Sequence, residues 1–463
     1  MPHITPLKTV AFVVTLASGL YFTPWMRSAQ GDAPPSPKVH ANARADVPLT
    51  AAVWDGVKDP RAKRQEYIAY YAGHSEWTPP PPLPVMAGRQ RNLAGIPEAP
   101  RFPLTGKVWP GKPGEGAVCL WEDDKVAAMS VGIDDNEASD VPFWLEMSRK
   151  YGGLNITWNI IVQGIGGAHP GQRGTWERWQ DLYRRGFHLA SHSMTHAGDP
   201  VPDDGWPGFD FECAESQRLI DAHVPGHRTR MFVPGGTLTQ EFNIFPNPFG
   251  KSPRFRESIG RYYTSGRTGG AQPVNQANKI DYLSIHATTA VEGIVEGPKF
   301  KPQLALANCL NPDPASPYHD LYRGWACVFI HWANQGKTWE TNPYYLAWTK
   351  VLDFYNQHRG ELWTGFADDV ALYGQERDTA TLTTLESSDN RIALKLTDAM
   401  DPTLFDYPLT LKVRLPDSWK GLQASQNGKS IPALAIAHEG ANYGLVKALP
   451  DRGEIVLSKG TDR

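Results

Sequence analysis

The stretch VAAMSVGIDDN, residues 126–136, places a run of small and apolar side chains directly before two aspartates. A short apolar run of this length predicts a buried strand that ends at Asp134. Two adjacent carboxylates at the end of such a strand are costly to bury unless a cation accompanies them. A solvated turn is the simpler interpretation of Asp-Asp-Asn alone, so the surrounding sequence has to decide between the two.

Strands and helices alternate along the chain after this stretch. Helices are predicted over 139–153, 175–186, 211–223 and 342–358. Further strands are predicted over 155–162, 187–191, 230–236 and 324–331. Alternation of this kind is typical of a parallel α/β sheet or barrel, whose functional groups lie at the carboxyl ends of the strands. The fold class is therefore predicted as α/β, a distorted (β/α) barrel.

Four segments are predicted along the 463 residues. Residues 1–33 are a signal peptide or N-terminal anchor, because Lys8 precedes an apolar run that is short for a membrane span. Residues 34–116 are a Pro-rich extension, and residues 117–379 are the barrel. Alternating hydrophobic positions after about residue 380 predict a small antiparallel β-sandwich over 380–463. A secreted or periplasmic location follows from the first segment.

The composition excludes some partners. The net charge is −3 and both signs interleave, which gives no case for nucleic acid or for a membrane partner beyond the possible anchor. Aromatic residues make up 11% of the chain, which suits a carbohydrate ligand, although core packing explains most of them. The four cysteines show no metal-binding spacing, and up to two disulfides with undetermined pairing are possible.

The stretch SHSMTH, residues 191–196, places His192 and His196 four residues apart. Two imidazoles at this spacing can chelate one divalent ion, but the glutamate of the zinc-protease motif HExxH is absent. Together with an aspartate from the GIDDN stretch, the pair makes a three-ligand set that leaves positions open for water and substrate. A divalent metal ion is therefore predicted, with zinc expected and other divalent ions as alternatives.

The order SVGIDDN, SHSMTH, FVPGG and FIHW resembles the polysaccharide deacetylases, the NodB-homology domains of carbohydrate esterase family 4. The resemblance covers about residues 117–375 and implies removal of N- or O-linked acetyl groups from a carbohydrate. The resemblance also implies that Asp134 is the catalytic base and that His331 is the general acid. It implies that the metal is bound by Asp135, His192 and His196. Finally, it places Pro234 and Gly235 near the oxyanion.

The chain departs from the family pattern at several positions. Gly132 and Ile133 stand where the family has Thr-Phe, and Asn136 stands where it has glycine. Phe232 occupies the position of an arginine that usually orients the base, and Arg230 is the candidate substitute.

Other residues are weaker candidates for the site. Asp281 is the one candidate for a later acidic motif, and Trp363 is either core or a platform for sugar. The stretch RYYTSGRTGG, residues 261–270, can line the cleft with Arg267, whereas its two tyrosines are expected to pack in the core.

Two other functions remain compatible with the sequence. The chain could be a non-catalytic carbohydrate-binding protein built on a decayed barrel, as the missing arginine suggests. It could also hydrolyse an amide that is not a sugar on the same barrel. The retained Asp-Asp, His-His and His331 favour the metal-dependent deacetylase, since a decayed site is expected to lose ligands.

Overall fold

The computed structural model describes residues 78–84, 102–162, 165–166, 173–194, 209–234, 253–269, 274–289, 301–331 and 343–460. The predicted signal segment, 1–33, and most of the Pro-rich extension lie outside these residues. No helix among the described residues has the length and apolar character required to cross a bilayer.

The strands of the described residues up to residue 364 are β1 (Gly116–Val118), β2 (Ala127–Ile133), β3 (Ile156–Ile160), β4 (His188–Ser191), β5 (Met231–Phe232), β6 (Ser265–Gly269), β7 (Val274–Asn275), β8 (Ile285–Thr289), β9 (Trp325–Ile330) and β10 (Leu362–Thr364). The α-helices of the described residues are α1 (Val141–Lys150), α2 (Trp176–Arg184), α3 (Phe209–His223), α4 (Pro253–Tyr262), α5 (Lys301–Leu310), α6 (Pro343–Gln357) and α7 (Ala367–Thr379).

The central sheet curves into a barrel-like ring. Its strands follow the order β2-β3-β4-β5-β6-β8-β9, and β9 pairs back with β2. All of these pairings are parallel, which places every carboxyl end at one rim. Strand β10 adds in parallel beside the start of β2, and β7 pairs antiparallel with β9. The predicted mixed α/β class with a barrel-like sheet is confirmed.

The alternation of side chains along β2 explains how the ring is filled. Met129 and Val131 point outward into the hydrophobic cluster that the helices cover, whereas Ala128 belongs to the cluster inside the ring. Successive residues of a strand face opposite sides, so Ser130 and Gly132 also face inward. The interior is therefore apolar near the start of β2 and becomes polar toward its carboxyl end.

Helix α7 closes the amino-terminal end of the ring. It is buried from Ala367 to Asp378, and its Ala367 N–H donates to the Thr157 hydroxyl at 3.2 Å. Gln375 donates to the carbonyl of Thr264, which directly precedes β6. This end of the ring is therefore blocked, and the carboxyl ends of the strands lie at the opposite rim.

The C-terminal strands form two antiparallel sheets. The strands are β11 (Thr381–Ser387), β12 (Arg391–Thr397), β13 (Leu409–Arg414), β14 (Leu422–Gln426), β15 (Lys429–Ser430), β16 (Ala433–His438), β17 (Ala441–Ala448) and β18 (Ile455–Lys459). One sheet has the order β11-β12-β18-β14-β15, and the other has the order β1-β13-β17-β16. Strand β1 precedes the ring in the sequence but belongs to the second sheet.

One hydrophobic cluster runs from the ring interior through α7 into these sheets. Trp325 on β9, Val370 on α7 and Leu411 on β13 are all members of it and are fully buried. The antiparallel sheets thus pack against the outer side of α7. This arrangement agrees with the prediction of antiparallel C-terminal strands.

The four cysteines are all buried and free, so the disulfides that the sequence allowed are not formed. Burial raises the pKa of the Cys327 thiol to about 12, which keeps it protonated and unreactive at neutral pH.

Candidate functional site

The predicted site residues follow neighbouring strands of the ring. Asp134 and Asp135 come directly after β2, His192 follows β4, Pro234 lies two residues after β5, and His331 follows β9. Because the strands are parallel, these residues share the open rim. His196 and Gly235 lie outside the described residues.

The turn after β2 requires an unusual backbone conformation. Asp135 has φ of +63° and Asn136 has φ of +52°, a region that favours glycine and that asparagine tolerates. The Asn136 amide also donates to the Ile161 carbonyl at 2.9 Å and accepts from the Ile161 N–H. Asparagine therefore replaces the family's glycine here and joins the turn to the end of β3.

Asp135 and His192 face each other across the rim. Nε2 of His192 lies 3.3 Å from Oδ1 of Asp135, and Nδ1 of His192 lies 2.8 Å from the Val233 carbonyl oxygen. A carbonyl oxygen only accepts, so Nδ1 carries a hydrogen and Nε2 is directed at a carboxylate oxygen of Asp135. This orientation of Nε2 toward a carboxylate oxygen is one in which both groups could serve as ligands of a divalent metal.

The loop that carries His192 is held from α3. The Met194 N–H donates to the carboxylate of Glu212 at 2.9 Å, and both residues are fully buried. Ser193 has φ of +70°, and its N–H donates to the Ser191 hydroxyl at 3.2 Å. Met194 and Ser193 therefore do more than space the two histidines, because they fix the loop onto the core.

Asp134 is buried, with 2% of its surface exposed, and each of its oxygens accepts a hydrogen bond. Asn159 Nδ2 donates to Oδ1 at 2.6 Å, and Arg267 Nη2 donates to Oδ2 at 2.6 Å. Burial alone raises the pKa of the Asp134 carboxyl, but Arg267 and then His192 and His331 outweigh it and hold the pKa below its usual value. Asp134 is thus ionised at neutral pH.

His331 lies at the rim, partly exposed. Its ring meets the Phe329 ring edge-on at a centroid distance of 5.6 Å, and it is close enough to act electrostatically on Asp134. This position suits proton transfer to a group bound in the cleft.

Two residues contact Asp134 that the motifs did not identify. Asn159 is a polar residue within the predicted strand ITWNI, and Arg267 lies among small residues in SGRTG. The signal for Asn159 was a polar side chain within an otherwise apolar strand, whereas the small and polar residues around Arg267 gave no comparable signal. The sequence placed Arg267 near the cleft but did not connect it with Asp134.

Other predicted site residues lie elsewhere. Arg230 pairs with Asp406 at 2.7 Å at the amino-terminal end of β5, so it does not replace the family arginine. Asp281 pairs with Arg256 on α4. Trp363 is 7% exposed and packs at 5.3 Å from Tyr373 of α7, which makes it a core residue and not a sugar platform.

A second group of possible metal ligands lies at the closed end of the ring. His188, at the start of β4, places Nδ1 3.0 Å from Asp368, and Asp369 completes the group. Both aspartates are buried in the first turn of α7. This group is separate from the rim and can also be a salt bridge at a helix N-terminus.

No family model matches the chain. A curated relative, a gellan lyase from Bacillus sp, is 31% identical over 361 residues, which are 75% of this chain and 13% of the relative. The chain therefore spans 13% of the length of that relative.

Solved structures of carbohydrate esterase family 4 are also similar. A family 4 acetyl xylan esterase from Clostridium thermocellum, in complex with cobalt, is 14% identical over 51% of this chain and 87% of its own, with a TM-score of 0.30. A CE4 family pseudoenzyme from Bacillus anthracis is 11% identical over 53% and 66%, with a TM-score of 0.29. Similarity at this level does not establish the family of this chain.

Proposed function

We propose that the protein is a metal-dependent hydrolase that removes N- or O-linked acetyl groups from a polysaccharide or oligosaccharide. The observation that carries the proposal is the pairing of an ionised, hydrogen-bonded Asp134 with a neighbouring Asp135 and His192 at the open rim. A general base beside a metal-binding pair is the arrangement required for hydrolysis by an activated water.

The ion would be held by Asp135, His192 and His196, with zinc as the expected metal. When bound, it would supply a Lewis acid for the acetyl carbonyl and an acidified water.

Two side chains of the protein, those of Asp134 and His331, carry out the two proton transfers. Asp134, fixed by Asn159 and Arg267, accepts the proton of the attacking water. His331 donates a proton to the leaving amine or alcohol. The proposal assigns the backbone N–H of Gly235, the residue after Pro234, to the developing oxyanion. Arg230 and Trp363 have no part in this proposal, since their contacts lie away from the rim.

A polysaccharide substrate is supported by the relative named a gellan lyase, which by that name acts on a polysaccharide. The proposal includes export to the periplasm or the medium, where such polymers are found. The rim residues do not select between an amide and an ester.

The test is acetate release from a panel of N-acetylated and O-acetylated glycans, with added Zn²⁺ and after treatment with a chelator. The wild type is expected to release acetate from at least one glycan and to stop when the metal is removed. The Asp134→Asn variant is expected to lose activity, whereas Asp181→Asn, an exposed carboxylate on α2, is not.

Absence of acetate from every glycan with metal present would overturn the proposal. Glycan binding without acetate release would then favour the non-catalytic carbohydrate-binding protein. Release of acetate only from acetylated amines that are not sugars would favour the other hydrolase.

A further inference from the structure

We infer that Arg267 and Asn159, together called the Asp134 clamp, are positioning residues for the base, and that Gly132 provides the space in which they meet it. The inference rests on the proposed function, because it assigns roles around the same base. The contacts of Arg267 and Asn159 with Asp134 explain two departures from the family pattern, those at Gly132 and Phe232.

The arginine of the clamp reaches Asp134 from β6. Its side chain is 3% exposed, and the guanidinium carbon lies 4.1 Å from the centroid of the Phe329 ring. The flat ring and the single ion pair with Asp134 orient the guanidinium plane. Arg267 thus approaches the base from inside the ring, between β6 and β9.

The contact with Asp134 leaves other hydrogen-bond donors of Arg267 buried without partners in the described part of the chain, which is unfavourable for folding. Among the described residues, Nε and Nη1 of Arg267 are buried and have no hydrogen-bond partner. A buried guanidinium with unsatisfied donors is destabilising, and replacing a buried ion pair by apolar residues is often neutral or stabilising. Arg267 is therefore expected to add little net stability to the fold, while its Nη2 holds a carboxylate oxygen of Asp134.

Gly132 makes the approach possible. A Cβ at this position would lie 3.1 Å from Asn159 Nδ2 and 3.9 Å from Arg267 Nη1. The first of these distances is tighter than an ordinary van der Waals contact, so a larger residue would require the Asn159 amide to shift by a few tenths of an ångström. Glycine, where the family has threonine, therefore gives the clamp its closest fit around Asp134.

Phe232 cannot supply the equivalent contact. It is fully buried in a cluster with Cys213, Ile259 and Tyr263, and its ring lies 5.3 Å from the Tyr263 ring. An arginine here would bury a charge among apolar side chains. The role of orienting the base has thus moved from β5 to β6, where the side chain points into the ring.

The clamp engages both oxygens of Asp134 and so fixes the plane of its carboxylate. Asp135 is the adjacent residue, and a free Asp134 would compete with it for the same cation. Holding Asp134 by two donors keeps it available as a base. Loss of either donor is therefore expected to lower kcat and to leave KM almost unchanged.

The experiment compares kcat, KM and metal affinity on the glycan from which the wild type releases acetate. Arg267→Met is expected to lower kcat about 100-fold, with Arg267→Lys between it and the wild type. Gly132→Ala removes no functional group and is expected to lower kcat about 10-fold by displacing Asn159. Arg256→Met deletes a buried Arg–Asp pair outside the site and is the matched control, with kcat unchanged.

A stability measurement separates the inference from the proposed function. Arg267→Met alone is expected to lower the Tm, because it leaves Asp134 charged and unpaired. The double variant Asp134→Asn/Arg267→Met is expected to recover the wild-type Tm or exceed it, since the amide oxygen introduced at position 134 still accepts a hydrogen bond from Asn159.

A double variant that melts well below the wild type, or a wild-type kcat in Arg267→Met and Gly132→Ala, overturns the role of the clamp. If the wild type releases no acetate at all, the proposed function fails instead. The Tm comparison still shows whether the Asp134–Arg267 ion pair lowers the stability of the fold, because it does not depend on activity.

Discussion

His192 presents Nε2 to Oδ1 of Asp135 at 3.3 Å because its Nδ1 is held by the Val233 carbonyl at 2.8 Å. The backbone of the segment after β5 thus selects the tautomer and the orientation of a residue that follows β4. Such a second partner is typical of histidines that bind metals.

Substitution at this pair is expected to abolish binding of one divalent ion per chain. His192→Ala and Asp135→Ala each remove one of the three proposed ligands and should weaken the affinity for Zn²⁺ by at least about 100-fold. Equilibrium dialysis with Zn²⁺ measures the stoichiometry and affinity directly.

Asp368→Asn is the control for metal binding, because Asp368 belongs to the group at the closed end of the ring. It should leave the rim ion in place. Equal stoichiometry in the wild type and in His192→Ala would show that the rim holds no metal.

Replacement of His331 should affect the leaving group. His331→Gln is expected to lower kcat about 10²–10³-fold on an acetamide substrate, since the amine must be protonated as it departs. The loss should be much smaller on an aryl acetate, whose phenolate leaves without a proton.

Steady-state kinetics on both substrates test the assignment of His331. His319→Gln changes an exposed histidine outside the site and should have wild-type kinetics on each. An equal loss on amide and aryl ester in His331→Gln would argue that this residue is not the acid.

Protonation of His227 is expected to make the free energy of unfolding depend on pH. Burial lowers the pKa of His227 to about 4, and its Nε2 donates to the Leu189 carbonyl at 2.9 Å. A lowered pKa stabilises the fold above the unfolded value of about 6.5, and this contribution is lost as the pH falls toward 4. Relative to His227→Gln, the wild type should lose up to about 1.4 kcal/mol per pH unit in that window.

The comparison with His227→Gln is needed because other groups act in the opposite sense. Burial raises the pKa of both Asp221 and Asp398 to about 6, which favours the fold as the pH falls. Urea denaturation of both proteins from pH 7.5 to pH 4 isolates the histidine. A difference in unfolding free energy that does not change with pH would contradict the prediction.

Gly374 allows α7 to approach Tyr282, in the segment that precedes β8. A Cβ at this position would lie 2.7 Å from Cε1 of Tyr282, whose hydroxyl donates to Asp378. Gly374→Ala should therefore destabilise the protein by about 1–3 kcal/mol, despite the better helix propensity of alanine. Gly360→Ala, where a Cβ would meet no atom within 4 Å, is the control in the same denaturation experiment.

Much of the fold follows from local patterns. Apolar runs such as AAMSVGI and WACVFI predicted the strands that the structure contains, and α1 ends before Gly152 and Gly153, which both have positive φ. These features depend on side-chain period and backbone preference, which act over a few residues. The convergence of Asp134, Asp135 and His192 also followed, because parallel strands bring their carboxyl ends together.

The partner of Asp134 was decided by tertiary structure alone. The sequence indicated Arg230 for this role, but Arg230 lies at the amino-terminal end of β5 and pairs with Asp406. The actual partner, Arg267, is 133 residues from Asp134 and meets it only because β6 and β2 face each other across a closed ring. Contacts across a barrel depend on the strand order and on the face that each side chain occupies. Neither can be deduced from the spacing of the motifs.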